Sequence, residues 1–150
     1  MQNTNIDKKD LSDGPVHLEL ASEALGAPQR AARTTEGGRR AARAASIIAE
    51  IDNGFSEQQF STRALAGKLG MSVRYVQDLA KDSGFSITER ILELRLQKAL
   101  AILMTDRSCM LKIGDVASSC GFNEVSYFHR CFRRRFGAAP AQLRAKAAAK

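Results

Sequence analysis

The chain has 150 residues, 23 Lys and Arg against 16 Asp and Glu, a formal net charge of +7 and 44% apolar residues. That length and apolar content admit one compact domain, and the basic excess favours an anionic partner, either nucleic acid or an acidic membrane surface. Cys109, Cys120 and Cys131 are odd in number and lack a Cys-x-x-Cys spacing, which argues for reduced thiols and against a disulfide framework or zinc ribbon.

The N-terminal MQNTNIDKKDLSDG is polar and acidic where a leader would need an apolar run, and nowhere does the chain hold the roughly 18 consecutive apolar residues of a membrane span. A soluble cytoplasmic protein without a membrane partner is expected. Residues 1–40 show little periodicity: VHLELASEAL allows one weak helix, and GAPQRAARTTEGGRR has the composition of a linker. A largely disordered extension follows. It holds six basic and six acidic side chains, so the whole net charge lies beyond it.

From Ala41 the apolar spacing is helical almost throughout. The expected elements are AARAASIIAEID, a first helix-turn-helix over about 61–84, a linker helix over about 86–105, a second helix-turn-helix over about 112–137 and a last helix over about 140–147. Ser72, Ser86 and Asn123 stand where N-caps are needed, and Glu89 completes a capping-box spacing with Ser86. Gly70, Gly84, Gly121 and Gly137 follow helical runs as left-handed caps, and Pro140 suits the first turn of the last helix.

A repeat supports the two-unit reading. LAGKLGMS (65–72) and VASSCGFN (116–123) share Ala-x-x-x-Gly, a large apolar residue and a capping side chain, each leading into another helix. Small Ala66 and Ala117 let two helices cross closely. Leu65, Leu69, Met71, Val76 and Leu79 are the expected core of the first unit; Val116, Cys120, Phe122, Phe128 and Phe132 take those places in the second.

In the second helix of each unit, seam and charge separate. At about 100° per residue, Phe128, Phe132 and Phe136 fall on one side with Val125, while Ser126, His129, Arg130 and Arg133 fall on another, with Arg134 beside them. Shifted by 52 residues, Val76 and Ala80 replace two of the phenylalanines, and Arg74, Gln77, Asp78 and Lys81 replace the polar set. Each helix then presents one polar face outward. The major groove of B-DNA admits such a helix, and arginine to guanine and glutamine to adenine are pairings its base edges favour. The intervening ITERILELRLQKALAILMT would span roughly 30 Å as a helix, close to the roughly 34 Å between successive major-groove segments on one face of DNA.

Residues 41–146 resemble the DNA-binding domain of the AraC/XylS family of bacterial transcription regulators. The match is carried by LAGKLGMSVRYVQDL, LRLQKALAIL and IGDVASSCGFNEVSYFHRCFRRRFGAAPAQLR. The resemblance implies an all-α fold of seven helices with two helix-turn-helix units, and a sequence-specific regulator of promoters, activating or repressing. It also implies base reading by Arg74, Gln77 and Asp78 in the first unit and by Val125, Ser126, His129 and Arg130 in the second. Lys81, Arg133 and Arg134 are the candidates for phosphate contact. Asp78 and Ala80 depart from the family pattern: an acid there would repel phosphate yet could accept from cytosine N4, and a small residue suggests looser packing of the first unit. The chain is similar either to short stand-alone regulators or to a truncated, longer, effector-responsive one, and double-stranded promoter DNA and RNA polymerase are the implied partners.

Plainer readings stand beside these. Arg133 to Arg135 would also suit a solvated helix end that complements the helix dipole, with Arg135 the member nearest the apolar side and placed to pair locally. A non-specific architectural DNA-binding protein would need only the charge, but would gain nothing from acids such as Asp78 and Glu124 on its surface. A protein-interaction module using the linker helix or residues 1–40 is a third class. His129 and Cys131 lie about 200° apart around one helix, which disfavours a metal site. With His17 and His129 the only histidines, no nucleophile and base, ligand cluster or phosphate-cradling loop can be assembled, so neither an enzyme nor a cofactor is expected. Arg43, Arg95, Lys98 and Lys112 read as surface charge, Arg95 with its stem packed along the linker helix.

Overall fold

Serine side chains cap three of the helices, at Ser61, Ser72 and Ser86. The computed structural model describes residues 17–106, 108 and 110–149, with side chains from Ala32 onward. Its elements are α1 (His17–Gly54), α2 (Thr62–Lys68), α3 (Val73–Asp82), α4 (Ile87–Thr105), α5 (Ile113–Ser119), α6 (Val125–Phe136) and α7 (Pro140–Ala148). Seven helices and no strand among the described residues make the fold all-α, with α2–α3 and α5–α6 as the two helix-turn-helix units and α4 between them. The residues before His17, and Cys109, lie outside the described residues.

The chain divides after Arg39 into two units. In the first, the backbone from His17 on is helical, and the described side chains, Ala32 to Arg39, are exposed, with Arg39 paired to Glu36 at 3.3 Å. The linker expected over GAPQRAARTTEGGRR is therefore helical in the structure. Its three glycines, two threonines and Pro28 are poor helix formers by intrinsic propensity, which is why the sequence reads as a linker.

The second unit, residues 40–150, holds two cores. One gathers Ile47 and Ile51 of α1, Leu65 and Ala66 of α2, Val76, Leu79 and Ala80 of α3, and Ile87 and Ile91 of α4. The other gathers Leu96, Ala99 and Leu103 of α4, Val116 and Ala117 of α5, and Phe128, Cys131 and Phe132 of α6, with Leu143 of α7 packed against it. The linker helix thus buries its first half in one core and its second half in the other. Its apolar residues cover more than one face for that reason.

Both turns are built alike. The N–H of Met71 donates to the carbonyl of Ala66 and that of Phe122 to Ala117, each at 3.0 Å, the long bond of a Schellman cap around Gly70 (φ 63°) and Gly121 (φ 89°). Each alanine is both the small residue of the crossing and the acceptor of that bond. The helices after the turns start differently. Ser72 Oγ accepts from the N–H of Tyr75 at 3.2 Å, whereas α6 begins at Glu124 with no side-chain cap. The sequence suggests Asn123 for that place; its amide instead donates to the carbonyl of Gln58 at 3.4 Å.

The phenylalanine seam is a stacked ladder. Ring centroids are 5.0 Å apart for Phe122 and Phe128, 5.3 Å for Phe128 and Phe132, and 4.7 Å for Phe132 and Phe136, all tilted, within the favourable range for aromatic pairs. Phe128 and Phe132 are fully buried. Cys120 and Cys131 are buried free thiols, and burial pushes the Cys120 thiol up, which keeps it protonated and unreactive near neutrality.

Candidate nucleic-acid interface

The anchoring seams determine which side chains face outward. On α6, burial of Phe128, Cys131 and Phe132 leaves Val125, Ser126, Arg130, Arg133 and Arg134 exposed and His129 half-buried beside the Phe128 ring, at 5.7 Å between centroids. On α3, burial of Val76, Leu79 and Ala80 leaves Arg74, Gln77, Asp78 and Lys81 exposed. Within each helix the polar residues named from the sequence lie on one exposed side, while Val125 is exposed in the first turn of α6 although it falls on the phenylalanine side. His129 lies at the edge of its face.

The two faces rest on unequal supports. Ala80, where α6 has Phe132, floors an open cleft of about 460 Å³ that Gln77, Lys81, Phe85 and Thr88 help to line. At the corresponding place α6 carries the fully buried ring of Phe132, packed between Phe128 and Phe136.

Five cations tie helices together through ion pairs. Lys68 bridges to Glu50 and Arg90 to Asp52, each at 2.9 Å, Arg135 to Glu93 at 2.8 Å and Arg144 to Asp106 at 3.5 Å, while Arg40 pairs with Asp82. Each of these pairs joins two helices or a helix to a helix end. Acids on neighbouring helices therefore neutralise these five cations. Among the described residues, no side-chain hydrogen bond or ion pair engages Arg74, Gln77, Asp78, Lys81, Arg133 or Arg134. Arg130 stands 6.0 Å from the centre of the Tyr127 ring, a contact that orients the guanidinium without spending its donors. Unpaired cations on two rigid, exposed helix faces suit a polyanion, since contact releases condensed counterions.

The pairs also titrate as structural elements should. Hydrogen bonds from Arg135 and then Gln97 hold the Glu93 carboxyl below its ordinary value. A hydrogen bond to Glu50 raises Lys68. For Asp106, burial pushes the carboxyl up, but bonds from Ser108 and the backbone of Leu111 and Met110, with the Arg144 charge, outweigh it and leave it lowered. Tyr127 is raised, first by its contact with Cys131 and then by partial burial.

Sequence reasoning missed two features beside these faces. Arg43 donates to the Tyr75 hydroxyl at 2.7 Å and lies 5.5 Å from the ring centre, so α1 braces the flank of α3. Arg95, read as surface charge, is directed inward at three backbone carbonyls. Neither was legible because each depends on which carbonyl or ring the fold brings near.

Two helix-turn-helix units carried on a shared linker helix, each offering one polar face, define a DNA-binding helix-turn-helix protein by architecture. Residues 65–146 match the family model described as a helix-turn-helix domain. The chain is 31% identical over 107 residues to the transcriptional activator RhrA of Rhizobium meliloti, covering 71% of this chain and 34% of that protein. The DNA-binding domain of AdpA, a global transcriptional factor solved in complex with a target DNA, superposes with a TM-score of 0.61 at 27% identity, over 71% of this chain and 93% of that one. A probable AraC family transcriptional regulator from Rhodopseudomonas palustris superposes with a TM-score of 0.59 at 25% identity, over 68% and 94%. The chain belongs to the AraC-type helix-turn-helix family. It spans about a third of the length of RhrA.

No helix among the described residues is long and apolar enough to cross a membrane.

Proposed function

We propose that this chain is a sequence-specific, double-stranded DNA-binding transcription regulator whose α3 and α6 enter successive major-groove segments. The observation that carries the reading is the division of charge. Arg40, Lys68, Arg90, Arg135 and Arg144 pair with acids of neighbouring helices, whereas among the described residues Arg74, Lys81, Arg133 and Arg134 have no such partner and stand on the same exposed faces as groups able to read base edges.

Within this reading, Arg74, Gln77, Asp78, Val125, Ser126, His129 and Arg130 read bases. Arginine suits guanine and glutamine adenine, Asp78 could accept from cytosine N4, and Val125 offers an apolar surface to a thymine methyl. Lys81, Arg133 and Arg134 hold phosphates and set the register. Likeness to RhrA, a transcriptional activator, favours positive control, with RNA polymerase as the further partner.

Selection from random double-stranded DNA by the full chain at about 150 mM salt, near physiological ionic strength, tests the reading. Enrichment of one bipartite site supports it. Salt-sensitive retention without any enriched sequence would favour the architectural alternative, in which charge alone binds.

A further inference from the structure

We propose that Arg95 is a positioning residue that fixes the spacing and orientation of the two reading helices, by clamping the α1–α2 loop against the turn of the second helix-turn-helix. The proposal rests on the reading that both helices engage one DNA.

The two cores are separate clusters that share only α4. A single helix passing from one to the other leaves its gentle bending as the soft motion. A second point of attachment limits it. Residues 55–60 supply it: Phe55 and Phe60 pack with the first core, and the intervening backbone reaches the second unit.

Arg95 sits on α4 between Leu94, which packs on the first core, and Leu96, buried in the second. Its Nε donates to the carbonyl of Phe55 at 2.6 Å, and its Nη2 to those of Glu57 at 2.9 Å and Phe60 at 3.3 Å. One rigid, always charged fork thus satisfies three carbonyls of a single loop, which a lysine could not do. On its other side stands the second turn. A Cβ on Gly121 would lie 2.8 Å from Arg95 Nε and 3.0 Å from the carbonyl oxygens of Phe55 and Ser56, so the turn backbone touches both guanidinium and loop. Gly121 is required twice, by its positive φ and by this approach. Around it, Gln58 Nε2 donates to Ser118 Oγ at 2.8 Å, and Lys98 Nζ, 5.8 Å from the Phe55 ring centre, donates to the Ser119 carbonyl at 3.0 Å.

The consequence concerns binding to two sites at once. Rigidly linked reading heads gain from their linkage only when the half-sites match their separation, whereas a loosened link accepts more spacings and gains less at the best one. Arg95 would therefore set the spacing the protein accepts without touching DNA.

The test uses amide residual dipolar couplings on the full chain, for wild type and Arg95→Met. In the wild type one alignment tensor should fit couplings from α2–α3 and from α5–α6. In Arg95→Met the two units should need different tensors. A single, unchanged tensor in the folded variant would overturn the proposal, because a residue that only adds stability leaves the orientation alone. Should Arg95→Met not fold, Arg95→Lys, which keeps stem and charge but loses the fork, carries the same comparison. On DNA, the wild type should lose binding when its half-sites are moved apart by about 5 bp, half a turn, and the variant should lose most of that discrimination while each half-site keeps its base preference. Indifference to spacing in the wild type itself would count against two-headed reading, while the couplings would still decide the role of Arg95.

Discussion

Arg135 of α6 closes a two-pronged ion pair on Glu93 of α4: its Nε lies 3.0 and 2.8 Å from the two carboxylate oxygens and its Nη2 2.8 Å from Oε1. One member of a run of three arginines is thereby taken from the outer face and used to tie α6 to the linker helix. Its neighbours Arg133 and Arg134 stay free for phosphate. Arg134→Ala should therefore lower the salt slope of DNA binding by about one, and Arg135→Ala should leave the slope unchanged. Titrations of one DNA at several salt concentrations decide this; equal falls in slope would place Arg135 on the DNA after all.

The same pair gives a pH dependence. Glu93 has a lowered carboxyl pKa in the fold, so its contribution to stability is present above its ordinary value of 4.5 and is lost as pH falls through the folded value. The gap in Tm between wild type and Glu93→Gln should be small and positive at neutral pH and close as pH falls below 4.5 and through the lowered folded value. Both partners are exposed, at 49% and 41%, so solvent screening keeps the contribution small. A gap that persists at acid pH would mean that the Glu93 stem, not its charge, is what matters.

Base reading and phosphate contact separate by mutation. Arg130→Ala should cost about 1 to 3 kcal/mol on the preferred site and relax selection at one base position. Arg134→Ala should weaken preferred and random sequences alike. Equal losses for Arg130→Ala on preferred and random DNA would remove it from the reading set.

The aromatic ladder should dominate stability. Phe128→Ala or Phe132→Ala, each in the fully buried seam, should cost about 3 to 5 kcal/mol through lost burial and the cavity left behind. Urea unfolding measures this directly; a loss under about 1 kcal/mol would mean that the second core tolerates the cavity by collapse.

Much of this was legible in the sequence, for physical reasons that differ by element. Phe128 and Phe132 announce the buried side of α6 through their four-residue spacing, and the Ala-x-x-x-Gly turns at Ala66 and Ala117 announce two copies of one crossing. Those signals are local. The bond from Arg95 to the carbonyls of Phe55, Glu57 and Phe60 spans 35 to 40 positions of chain and leaves no local mark. Asn123 shows the converse: its residue type suits an N-cap, but the loop carbonyl of Gln58 competes for its amide and Glu124 takes the cap position. The helix through residues 26–40 escaped because Gly26, Pro28, Gly37 and Gly38 are turn and linker residues by type and the segment has no apolar periodicity.

The central claim, that α3 and α6 read successive major-groove segments on one face of the duplex, is tested most directly by hydroxyl-radical footprinting of the full chain on its enriched site. Two protected patches are expected on the same face, roughly 10 bp apart, with Arg130→Ala needing more protein to give the same protection. A single protected patch, or uniform weak protection along the duplex, would contradict it.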